Sequence, residues 1–127
     1  MPPNRLRWLA SPASVLLLLA WMLAPASAGA HAILVQSTPA AGGNVPVGKL
    51  AMSLRFNSRI DRPRSRLTLT LPDHSQTVLA IRPDGGPDVL NTSAQLDTPG
   101  AYVVRWQVLA IDGHITRGDV PFTVTGP

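Results

Sequence analysis

Past residue 30, hydrophobic and polar residues alternate along much of the chain. Leu50, Met52, Leu54 and Phe56 alternate with Ala51, Ser53 and Arg55. Leu67, Leu69 and Leu71 flank Thr68 and Thr70, and Tyr102, Val104, Trp106 and Val108 share one parity with Arg105 and Gln107 on the other. A period of two puts one face inward and the other outward, which is the mark of half-buried strands. Shorter strands fit residues 33–36, 77–81, 89–96 and 120–125. Between these runs lie residues 39–46, Pro72-Asp73, residues 83–87 and Thr98-Pro99-Gly100, all rich in turn formers. No segment carries a helical stripe, an internal repeat or a long linker. About seven short strands in ~100 residues predict an all-β, Ig-like Greek-key sandwich or barrel.

The first thirty residues follow another pattern. Arg5 and Arg7 precede an apolar run over residues 15–23, which Pro25 ends, and small residues continue to Ala30. This order is that of a secretory signal peptide. The apolar run is short against the roughly 20 residues that a spanning helix needs. Ala28-Gly29-Ala30 offers a cleavage site, with Ala26-Ser27-Ala28 as its rival. Cleavage at Ala30/His31 leaves residues 31–127 as one small domain outside the cytoplasmic membrane.

Charge and composition narrow the function. Beyond residue 30, Lys49 and eight arginines face seven aspartates and no glutamate, a net charge of +2. That small, dispersed excess is not a nucleic-acid footprint. Arg59, Arg62, Arg64 and Arg66 do cluster, which reads first as a solvated strand edge or loop and second as a patch for an acidic partner. The absence of cysteine excludes disulfides and thiolate sites, so stability rests on packing, and a metal site must use His, Asp and a free amine.

That last restriction makes His31 the residue of greatest interest. A leading histidine presents its α-amine and its ring Nδ1 at one point, and both can close a chelate ring on one ion. An internal histidine cannot, because its backbone nitrogen is an amide. A second signal is Asp112-Gly113-His114. Asp-Gly is a favoured hairpin turn, and a histidine beside it can be merely exposed. Yet Asp112 and His114 stand two apart, so in extended chain their side chains point the same way, and Gly113 lets the backbone bend. With His31 they supply two imidazoles, one carboxylate and one amine. Such a nitrogen-rich set suits one Cu(II) ion; Zn(II) takes similar ligands but prefers a tetrahedron. His74, in Pro72-Asp73-His74-Ser75, reads as an exposed turn residue, and Trp106 as core.

The start His31-Ala32-Ile33-Leu34 with Ser37-Thr38-Pro39-Ala40-Ala41-Gly42, and the end Gly100 to Val108 (GAYVVRWQV) with Asp112-Gly113-His114 and Gly118, resemble the CopC family of periplasmic copper-binding proteins. The resemblance covers essentially all of residues 31–127. It implies an Ig-like fold and a Cu(II) site made of His31, through amine and ring, with Asp112 and His114. It implies copper carriage or handover in the periplasm, often beside a CopD-type inner-membrane protein. The chain is accordingly expected to be a monomeric, non-enzymatic protein that buffers copper or passes it on. Two features depart from the family pattern. Some members carry a Met-rich Cu(I) loop, whereas Met52 is the one methionine past residue 30 and its parity points to the core. Many relatives show Ser-Glu-Pro where this chain has Asn57-Ser58-Arg59 after Phe56. Two other classes share some of these features: a copper monooxygenase with a leading histidine, and a metal-free secreted Ig-like interaction module. Copper-dependent oxidation of chitin or cellulose separates the first, and Cu(II) titration the second.

Overall fold

The alternating runs become strands, most of them longer than their apolar cores. The computed structural model describes residues 31–127, and the leader expected over residues 1–30 lies outside them. Eight strands and no helix occur among the described residues: β1 (Leu34–Thr38), β2 (Gly43–Pro46), β3 (Gly48–Phe56), β4 (Ile60–Thr70), β5 (Gln76–Leu79), β6 (Val89–Leu96), β7 (Gly100–Ala110) and β8 (Ile115–Thr125). They form two sheets, ordered β1-β3-β6 and β2-β8-β7-β4-β5. The chain crosses between sheets at every connection except the β4–β5 and β7–β8 hairpins. The result is the all-β, Ig-like sandwich that the alternation predicts, with one strand more than expected.

The core lies between the sheets and follows the predicted parity. Met52, Leu54 and Phe56 of β3 and Leu90 and Leu96 of β6 are buried against Leu67 and Leu69 of β4, Tyr102, Val104, Trp106 and Val108 of β7, and Val120, Phe122 and Val124 of β8. Phe56 meets Trp106 edge to face across the two sheets, with ring centroids 5.1 Å apart. Tyr102 stacks on Phe122 at 5.5 Å, and its hydroxyl donates to the Thr98 carbonyl at 2.7 Å. Aromatic pairs of this kind add to the burial of apolar area. Thr92, the one fully buried polar side chain among the described residues, donates to Ala80 O at 2.6 Å, so its burial leaves no hydroxyl unsatisfied.

Three differences from the expected elements have local causes. Residues 39–46, read as turn, contain β2, an edge strand parallel to β8. Glycine and proline hide it, but an edge strand needs a ladder on one side only, so Pro46 at its end is tolerated. Strand β8 begins at Ile115, five residues before the expected 120. Its inward positions there are Thr116 and Gly118, which break the apolar pattern, because Trp106 fills the space over Gly118. Strand β4 begins at Ile60, seven residues early, and carries a bulge between Asp61 and Arg66. The bulge disperses the arginine cluster. Arg62 folds onto the carbonyls of Pro83, Gly86 and Val89, Arg64 approaches Asp61, and Arg66 is exposed on the strand.

A side chain at position 118 would overlap the indole of Trp106. Gly118→Ala is therefore expected to destabilise the fold by about 1–3 kcal/mol, as overpacking of a core does. Urea unfolding checks this; an unchanged midpoint would show that the indole moves aside freely.

Candidate metal centre

The β7–β8 hairpin holds two of the three predicted ligands. Its ladder runs in unbroken register from Gly100 opposite Val124 to Leu109 opposite Ile115. At its end, Gly113 N–H donates to Ala110 O at 2.9 Å, and Ala110 N–H donates to His114 O at 2.8 Å. Gly113 adopts φ 90°, in the region where glycine carries no steric penalty. Asp112 and His114 do not converge as same-face residues of an extended strand. They converge through an Asx turn, in which His114 N–H donates to Asp112 Oδ1 at 3.1 Å. The other carboxylate oxygen, Oδ2, lies 2.8 Å from His114 Nδ1 and fixes the ring.

The third predicted ligand arrives from the other sheet. His31 precedes β1, yet its ring lies edge to face with that of His114, with centroids 4.8 Å apart. One donor atom from each of His31, Asp112 and His114 lies within 4.8 Å of the others. Two contacts hold the leading segment in place. Ile33 N–H donates to Asn57 Oδ1 at 2.8 Å, and Thr116 Oγ1 donates to Ala32 O at 2.7 Å across 84 positions of sequence. The strand pattern predicts neither contact.

The electrostatics suit a cation. The Asp112 carboxyl is held below its ordinary range, first by the backbone N–H of His114, then by the His114 ring, with smaller contributions from the charges of His114 and His31. The carboxylate side chain is 24% exposed and the His114 side chain 60%, so an ion can reach the cluster and leave it. A carboxylate and two imidazoles in mutual reach form a donor set for a borderline divalent ion such as Cu(II) or Zn(II). His74 takes no part. It sits exposed at φ 69° in the β4–β5 hairpin, beyond Thr70, which pairs with Val103, whereas the cluster lies past Ala110, which pairs with Ile60 at the far end of β4. Met52 is buried.

Comparison with known proteins identifies the family. A profile of the CopC domain matches residues 34–125. Copper resistance protein C of Pseudomonas syringae pv. tomato is 35% identical over 118 residues, which cover 87% of this chain and 93% of that protein. Protein YobA of Escherichia coli (strain K12) is 32% identical over 112 residues, covering 86% and 90%. Among solved structures, CopC from Methylosinus trichosporium OB3b superposes with a TM-score of 0.70 at 29% identity, over 76% of this chain and 95% of that one. PcoC, a methionine-rich copper resistance protein from Escherichia coli, gives 0.57 at 26% identity, over 76% and 100%. The length of the match, the two-sheet fold and the shared sequence together show that the chain belongs to the CopC family.

Proposed function

We propose that the chain is exported, cleaved between Ala30 and His31, and holds one Cu(II) ion in the periplasm for buffering or handover. The observation that carries this reading is the convergence of His31, Asp112 and His114 within 4.8 Å, from opposite ends of the domain. Cleavage adds the α-amine of His31 to that set. The ion is cargo, and each group has a distinct part in holding it. His31 contributes its amine and ring as a chelate, and His114 an imidazole oriented by Asp112. Asp112 contributes an oxygen and a negative charge that offsets part of the charge of the ion.

A carrier role fits better than catalysis. An oxygen-activating copper site needs an open coordination position, and here a carboxylate converges on both histidines. The exposed position of the ligands suits an ion that must pass to another protein, and a CopD-type membrane protein is a partner of the right kind. The single methionine past residue 30 is buried, which argues for one Cu(II) site and against a Met-rich Cu(I) site.

The chelate makes binding depend on processing. Intact mass of the exported protein is expected to begin at His31. That form should bind Cu(II) at least about a hundredfold more tightly than a form with one extra leading residue, because two donors of one ring contribute far more than one. Equal affinity of the two forms in a competition titration would disprove the chelate.

Proton competition gives a second test. Amines and imidazoles bind metal only when deprotonated, and an imidazole ordinarily gains its proton near pH 6.5. Asp112 has its pKa lowered, so protons compete for its carboxylate only at lower pH than for an ordinary aspartate. Affinity is expected to fall by at least about tenfold per pH unit below about pH 6. Constant affinity down to pH 4 would contradict the nitrogen-rich set.

A further inference from the structure

His31, Ala32 and Ile33 lie ahead of the first strand ladder, which begins at Leu34 opposite Phe56. Leading residues fray unless side chains or backbone tie them down. Three ties act here. Asn57 bonds Ile33 reciprocally: its Oδ1 accepts from Ile33 N–H at 2.8 Å, and its own N–H donates to Ile33 O at 2.9 Å. Thr116 Oγ1 donates to Ala32 O at 2.7 Å. Ala32 itself is 1% exposed, with its methyl group packed into the core cluster.

The two side-chain ties come from different sheets. Asn57 directly follows β3, the neighbour of β1, and fixes the segment to its own sheet. Thr116 lies on β8, two residues past His114, and fixes the segment to the hairpin that carries the other two donors. The segment is thereby pinned on both sides immediately behind His31.

We propose that Asn57 and Thr116 are positioning residues for copper: they hold the leading tripeptide against the hairpin before the ion arrives, and Cu(II) affinity depends on both side chains. The proposal rests on the reading that His31 leads the processed chain and binds copper. Neither residue belongs to the donor cluster; each acts through the backbone of Ala32 or Ile33. A loose tripeptide must be ordered as the ion binds, and ordering one residue ordinarily weakens an equilibrium by roughly 5- to 30-fold. Residues already ordered avoid that loss. Each position has its own chemical requirement. Position 57 needs a carbonyl or carboxylate oxygen on a short stem to accept from Ile33 N–H, which Asn and Asp provide and Ala does not. Position 116 needs a hydroxyl donor, which Thr and Ser provide; Val keeps the shape and loses the bond.

The test uses processed protein with His31 leading. Cu(II) affinity and dissociation rate are measured by competition with a chelator of known affinity, and amide exchange at Ile33 is followed by NMR in the metal-free protein. Asn57→Ala and Thr116→Val are each expected to weaken Cu(II) about tenfold, mainly through faster dissociation, and Asn57→Ala to speed exchange at Ile33. Asn57→Asp and Thr116→Ser should stay within about threefold of the wild type. Such rescue is not expected of side chains that merely stabilise the sandwich, since their loss would lower the unfolding midpoint and leave copper affinity unchanged. Should Asn57→Ala fail to fold, the Thr116→Val and Thr116→Ser pair carries the test alone. Wild-type binding that is lost in His31→Ala, combined with affinities for Asn57→Ala and Thr116→Val within twofold of wild type, overturns this proposal alone. Wild-type binding that does not depend on His31 overturns the reading beneath it and this proposal with it.

Discussion

The candidate centre depends on one tie above all, the hydrogen bond from the Thr116 hydroxyl to the Ala32 carbonyl. It joins the front of the domain to the hairpin that nearly ends it. Strand β1 belongs to the three-stranded sheet and the β7–β8 hairpin to the five-stranded sheet, so no ladder connects them. The carbonyl of Ala32 has to find its donor outside a strand ladder, and Thr116 supplies it. With the bond in place, the ring of His31 meets that of His114.

The remaining structure keeps the two sides of that joint in register. The β7–β8 ladder runs without a bulge for its whole length, which places Asp112 and His114 at a fixed point. A slip of one residue would turn every side chain of the hairpin to the other face. Without cysteine, what opposes such a slip is the fit of the core: Trp106 lies over Gly118, meets Phe56 from the facing sheet, and shares its parity on β7 with Tyr102 and Val108. Burial on this scale stabilises a small domain by many small increments, and the hairpin that carries Asp112 and His114 keeps its register through that packing.

Much of this is legible in the amino-acid order, for reasons that can be stated. Alternation at Met52–Phe56, Leu67–Leu69 and Tyr102–Val108 identifies strands because each faces the core on one side only. Histidine after the small-residue run Ala28-Gly29-Ala30, together with Asp-Gly-His before the last strand, singles out the three residues that the fold brings together. Hidden elements have local causes. Strand β2 is masked by glycine and proline, and the start of β8 by the polar and glycine positions that accommodate Trp106. Asn57 and Thr116 are invisible for another reason: each acts on a backbone group 24 or 84 positions away, and no period or spacing encodes such a pairing.

The donor set itself is open to direct observation. Pulsed electron paramagnetic resonance on processed protein loaded with one equivalent of Cu(II), prepared with natural and with 15N-labelled histidine, counts the coordinating nitrogens and assigns them. The account predicts two imidazoles and an amine bound together, with one imidazole and its label dependence lost in His31→Ala. A spectrum showing a single histidine, or one that His31→Ala leaves unchanged, would contradict it.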